Sequence, residues 1–176
     1  MKRMNPVAES TPPLQQRRRL MRALAGGLGL LGGGAALPVL AHHGWSSFDQ
    51  TRPLYLQGKA LEVKWRNPHA ELVLERKTGP VPADLVTRRV PAQVSPVDGV
   101  SLLAKARPPQ RSDARWLVEL APLTRMGQWK VPEITVGTEL GVVGFTFTEE
   151  KGEAILRAEY LILDDQVYGM RSSPSA

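Results

Sequence analysis

LYLQGKALEVKWRNPHAELVLERK, residues 54–77, decides the fold. Leu54, Leu56, Ala60 and Val63 fall on an alternating pattern that Gly58 interrupts. Period-two alternation predicts a half-buried strand, and a glycine inside it predicts a bend or bulge. Asn67-Pro68 is a turn signal. Beyond it Leu72 and Leu74 share one face, while Glu71, Val73 and Glu75 share the other. The stretch therefore reads as a β-hairpin with His69 at its turn.

The same pattern continues downstream. RWLVELA reads as a third strand closed by Pro122, and LTRMGQW as a short helical turn weakened by Gly127. LGVVGFTFT and AILRAEYLIL, joined by the tip EEKGE, form a second hairpin. In its last strand Leu156, Ala158, Tyr160 and Ile162 fall on one side, and Ile155, Arg157, Glu159 and Leu161 on the other. Strands are predicted at 54–65, 69–77, 115–121, 138–148 and 154–163, and VYGM adds a short final one. The expected core is Leu56, Val63, Leu72, Leu74, Val118, Val143, Phe145, Leu156 and Tyr160. Three strands, a short helical connection and two strands match an all-β, five-stranded OB-like barrel. An antiparallel meander or a sandwich is the alternative. With 6% aromatics and 16 glycines, a small curved sheet fits better than a thick sandwich. Residues 78–114 hold six of the 15 prolines and read as a long, partly ordered insertion.

The first 41 residues have the anatomy of an export signal. RRRLMR at 17–22 fits a twin-arginine pattern, and general secretion is the other route. Residues 23–40 are apolar, but six of these 18 are glycine, which argues against a retained membrane anchor. Val39-Leu40-Ala41 supplies the cleavage site. Removing residues 1–41 takes away six basic and one acidic side chain. The remaining 17 basic and 16 acidic side chains leave a net charge of +1, against +6 for the whole chain. The high overall pI thus belongs to the signal and gives no support to a nucleic-acid partner. The mature chain is expected to have an arm at 42–53, the barrel domain at 54–171 and a tail at 172–176. It is expected in the periplasm, with no stable membrane span after processing. The absence of cysteine excludes disulfides, thiolate metal sites and a cysteine nucleophile.

Several motifs together resemble DUF6152, an exported bacterial family of unknown function. They are HHGWSSFD at 42–49, LQGKALEVKWRNPH at 56–69, the strand with Trp116, VGTELGVVGFTF at 136–147 and DDQVYGMRS at 164–172. The resemblance covers residues 42–171 apart from the insertion. It implies a small periplasmic β-barrel and no established activity. The insertion departs from the family pattern, as does Gly44-Trp45, where a small polar residue and Phe are usual.

All three histidines lie in these motifs. Cleavage after Ala41 makes His42 the first residue, so its free amine and imidazole can chelate one ion together. His43 or His69 can add a second imidazole, and Asp49 an oxygen or an outer-shell bond. This is a histidine-brace arrangement, and amine and imidazole nitrogens suit copper best, with zinc next. Met126 and Met170 are further soft donors. A start at Ala41 would instead put a histidine at position three, a square-planar copper site that does not use His69. Set against this, His-His near a terminus is often a solvated arm, and His69 can simply cap its turn. Trp45, Trp65 and Trp116 read as packing residues rather than a sugar platform. The strand carboxylates read as an exposed sheet face. Enzyme signatures are thin: no P-loop, no dinucleotide turn and no G-x-S-x-G elbow. The two leading readings are a metal-binding carrier or sensor and a metal-free module for a small molecule, glycan or protein partner. A copper oxygenase is third.

Overall fold

The computed structural model describes residues 44–175. Strands β1 (Leu54–Lys64), β2 (Glu71–Arg76), β3 (Arg115–Glu119), β4 (Glu139–Phe145), β5 (Ile155–Leu163) and β6 (Gln166–Gly169) form one sheet. Two short helices, α1 (Gly99–Lys105) and α2 (Leu123–Gln128), lie between strands. No described helix is long and apolar enough to cross a membrane.

β1 pairs antiparallel with both β2 and β4, β2 with β3, and β4 with β5. A parallel pairing of β3 with β5, from Leu117↔Ile155 to Glu119↔Arg157, closes the ring. That pairing excludes the meander. The expected five-stranded barrel is present, with β6 as an extra strand folded back on β5. Each expected strand is found within three residues of its predicted ends, and no helix among the described residues reaches three turns.

Leu54, Leu56, Ala60, Leu72, Leu74, Trp116, Val118, Val142, Leu156, Ala158 and Leu161 fill the barrel. Two bulges decide which residues these are. Between Ala60 and Glu62, β1 gains one residue against β2, so Ala60 and Val63 both face inward. On β5, Val143↔Tyr160 is followed by Gly144↔Ala158, which leaves Glu159 as the extra residue. An extra residue reverses the alternation beyond it. Leu156 and Ala158 are inside, whereas Tyr160 and Ile162 are outside. The single face expected for residues 156–162 is therefore corrected. Val143, Phe145 and Tyr160 are buried as expected, but on the outer surface of the barrel rather than in it. Val63 is only partly buried.

What buries Val143 and Tyr160 is the insertion. Residues 78–114 are packed down, which corrects the expectation of partial order. Leu85, Leu103 and Ala106 lie on Tyr55, Val143, Tyr160, Ile162 and Val167 as a second apolar layer. Asp98 caps α1 by accepting from the Ser101 amide at 3.0 Å. The returning chain is latched by Glu150, whose Oε2 accepts from the Gln110 and Arg111 amides at 2.9 and 3.2 Å. The tail joins in, with the Val94 amide donating to Ser173 O and the Ser175 amide to Ala92 O.

Gly58 is not the bulge residue; the register shift falls at Leu61. Its hydrogen side chain instead admits the neighbouring strand, because a Cβ there would sit 1.9 Å from the Glu75 carbonyl oxygen. Gly58→Ala must part β1 from β2. It is expected to cost about 1–3 kcal/mol or more, as overpacking does, measured by urea unfolding.

Candidate functional site

The 65–70 connection is where sequence and structure meet. Asn67-Pro68 is a cis peptide bond, and Asn67 Oδ1 accepts from the Leu123 amide at the start of α2, 3.3 Å away. Ala70 extends the β2–β3 ladder: its amide donates to Ala121 O at 3.1 Å, and its carbonyl accepts from Leu120 at 2.9 Å. Ala70 is in the barrel core. Alternation along the ladder puts Glu71 on the opposite, outer face. His69, just ahead of the ladder, is half-buried.

That outer face carries buried charge. Glu71, Glu119 and Arg157 are register neighbours across β2, β3 and β5, and they are 6%, 5% and 8% exposed. The expectation that strand carboxylates form a solvated face fails for this row. Lys64 Nζ lies 2.9 Å from Glu71 Oε2, and Arg157 NH1 lies 3.0 Å from Glu119 Oε2. Glu159, the bulge residue, is fully buried and accepts from Arg171 at 2.7 Å and from Gln93 at 2.9 Å. Burial, reinforced by the Arg157 charge, lowers the pKa of the nearby Arg125 guanidinium, which donates to Met170 O at 2.9 Å.

The arm is clamped onto this array. After Gly44, residues Trp45–Ser47 form one 3-10 turn. The Trp45 ring lies under the Arg171 guanidinium at 3.9 Å and the Arg157 guanidinium at 5.3 Å. Cation–π contacts of this kind are worth about 0.5–2 kcal/mol. Phe145 meets the Trp45 ring edge-on, and Phe48 stacks on Phe147 at 5.2 Å. Arg171 NH2 also donates to Gln50 Oε1 at 2.9 Å. Residues 44–50, within the arm expected at 42–53, are thus anchored to the barrel.

The four expected ligands fare differently. His42 and His43 lie outside the described residues. His69 lies half-buried in the connection just ahead of β2. Asp49 is engaged in a local turn: its Oδ1 accepts from the Thr51 amide at 3.0 Å and the Thr51 hydroxyl at 2.6 Å. Its own amide donates to Thr146 O at 2.8 Å, near the start of β1, whereas His69 lies beyond the far end of that strand. Among the described residues no group of three or more His, Asp or Glu is arranged to hold a metal ion. Met126 and Met170 are both buried in the main core. Trp116 is fully buried and Trp65 packs against the same core, as expected of packing residues.

The hydrogen bond from the Thr51 hydroxyl holds the Asp49 pKa below the ordinary carboxylate value. A lowered folded-state pKa stabilises above the unfolded value of about 3.9 and loses that contribution as pH falls through the folded value. Asp49→Asn is therefore expected to unfold more easily than the parent at neutral pH. The two unfolding curves should converge as pH falls through the folded value, as circular dichroism would show.

Residues 32–82 match DUF6152, described as a family of unknown function. The matched stretch contains His42 and His43, the 65–69 turn and the first hairpin, and it is the family that the motifs indicated. No curated protein and no solved structure matches the chain.

Proposed function

We propose that the mature protein is a periplasmic copper-binding protein, a carrier or sensor, that holds the ion through His42, His43 and His69. The observation that carries this reading is the anchoring of the arm. Trp45 is fixed over Arg157, in the same register row as Glu71, and His69 lies two residues before Glu71 in the chain. Neighbouring strands are about 4.8 Å apart and residues along a strand about 3.3 Å. Cleavage after Ala41 would leave only His42 and His43 ahead of Gly44. The terminal amine would then start two residues, at most about 7 Å of chain, from a fixed point on this face. A terminal amine with imidazoles suits Cu(II), which heads the divalent affinity order.

The test is a Cu(II) titration of protein that begins at His42. One equivalent should bind, and His69→Ala should weaken binding by at least the 10–100-fold that loss of an outer-shell partner costs. Protons compete for the amine, with a reference pKa of about 7.7–8.0, and for imidazole, at about 6.5. Affinity should accordingly fall as pH drops through that range. Equal, weak binding by parent and His69→Ala would leave the histidines as a solvated arm and a turn.

A metal-free binding module is the second reading, and one feature favours it. A cleft of about 240 Å³ opens between the insertion and the outer face of β1 and β4, lined by Tyr55, Gln57, Lys77, Arg88 and Gly141. This cleft and a second of about 300 Å³ beside Arg52, Lys105 and Arg107 lie at or below the lower end of the usual ligand-pocket range of about 300–1,000 Å³. Arg88 already binds Asp84 at 2.8 Å and Asp164 O at 2.8 Å. For these reasons the metal reading is preferred.

A further inference from the structure

We infer that the second cleft, beside Arg52, Lys105 and Arg107, is a binding site for a phosphate group, free or carried by a small molecule. It shares no residue with the copper reading and stands apart from it. The cleft holds about 300 Å³ between the approach to β1 and the stretch that follows α1, and Gln110 also lines it. Backbone bonds fix its two walls. The Arg107 amide donates to Pro53 O at 3.1 Å, and the Tyr55 amide donates to Arg107 O at 2.8 Å. Leu54 and Arg107 thereby form a parallel bridge, with Arg52 on one side of it and Lys105 on the other. Three cations and no acid line the cleft. Lys105 and Arg107 are exposed, and no carboxylate of the described residues pairs with either. Arg107 NH1 donates to Ala104 O and Ala106 O at 3.2 and 3.0 Å, which offsets the carbonyl charge at the end of α1 and holds the guanidinium in place. Arg52 NH2 lies 3.5 Å from Glu150 Oε1, but the other oxygen of that buried carboxylate accepts from the Gln110 and Arg111 amides. Positive charge is therefore in excess. Cations held together repel one another, and a multiply charged anion relieves that repulsion. A phosphate group brings about two negative charges and three acceptor oxygens, which suits guanidinium forks and an ammonium together. A monocarboxylate brings one charge and two oxygens, so it leaves part of the donor set unmet.

The test is a calorimetric titration of the untagged protein as cells produce it, treated with a chelator and held at constant ionic strength. The probes are inorganic phosphate, glycerol phosphate and acetate. One equivalent of a phosphate compound should bind, and acetate should bind at least about tenfold more weakly, the worth of one hydrogen bond to a charged group. Tighter binding of glycerol phosphate than of inorganic phosphate identifies a phosphorylated small molecule as the occupant; equal or weaker binding identifies the free ion. Lys105→Gln and Arg107→Gln should each weaken binding by about 10–100-fold. Lys59→Gln removes the same charge from an exposed lysine further along β1, outside the cleft, and should bind as the parent does. Thermal unfolding reports whether each variant is folded. If Arg107→Gln is not, Arg107→Lys keeps the charge without the planar fork and should still bind more weakly than the parent. The assignment is overturned if neither phosphate compound binds, or if acetate binds as tightly. Equal weakening by Lys59→Gln and Lys105→Gln also overturns it, since the attraction would then belong to the whole surface. None of these outcomes bears on the copper reading.

Discussion

Glu119→Ala is expected to destabilise the barrel by about 3–5 kcal/mol, the cost of leaving one member of a buried ion pair without its partner. Glu119 and Arg157 face each other at 3.0 Å with side-chain exposures of 6% and 9%. Without Glu119, the guanidinium stays on a face it shares with the Arg125 and Arg171 cations. A loss of this size should lower the melting temperature by on the order of 10 °C or more, read by calorimetry. Replacing both partners at once, Glu119→Met with Arg157→Met, should recover much of the stability, since apolar pairs of similar volume often match or exceed a buried ion pair. The double variant should not restore the arm. Arg157 is also one of the two cations on Trp45, so residues 44–50 should exchange amide hydrogen faster than in the parent. If Glu119→Ala melts with the parent, the row contributes nothing to the fold.

The second large effect concerns the amino group. One residue added before His42 should reduce Cu(II) affinity by more than the roughly 10–100-fold that an outer-shell loss costs, because a direct ligand disappears. The fold and all three imidazoles are expected to remain unchanged in that variant. A protein beginning at Ala41 separates two forms of copper site. With histidine at its third position it should still bind copper, and His69→Ala should then make no difference. Equal affinity of the His42-start and extended proteins would remove the amine from the site. Copper would then rest on imidazoles alone or on nothing specific.

The strands were legible because their signal is local. Leu72 and Leu74 against Glu71 and Glu75 announce β2 without knowledge of any partner, and Asn67-Pro68 marks its start. The OB-like strand order followed from the positions of the short helix and the turns. Information that depends on pairing was not legible. The extra residues Leu61 and Glu159 leave no mark in composition, yet Glu159 moves Tyr160 from the expected interior to the outer layer. The insertion looked loosely structured because its prolines break regular elements. Its few apolar side chains, Leu85 and Leu103 among them, acquire meaning only over Tyr55 and Val143.

The candidate site divides along the same line. The histidines stand out by position, two beside an expected processing signal and one in a turn. The charged row does not, because Glu71, Glu119 and Arg157 are neighbours through register alone and are 38 or more residues apart in the chain. Asp49 was nominated for its closeness in sequence to His42 and His43; its Oδ1 accepts hydrogen bonds from Thr51. Trp45 was read as packing, which it is. That it is held by two arginines from the end of the barrel depends on contacts across more than a hundred residues.

The central claim is that processing creates the metal site. Native mass spectrometry of the protein recovered from periplasm tests it most directly, since one spectrum reports both the first residue and the bound metal. The expected species begins at His42 and carries one copper ion, which is lost when the sample is acidified below the imidazole range. A protein that begins at His42 and carries no metal after growth with copper would contradict the account, as would one that retains residues 1–41.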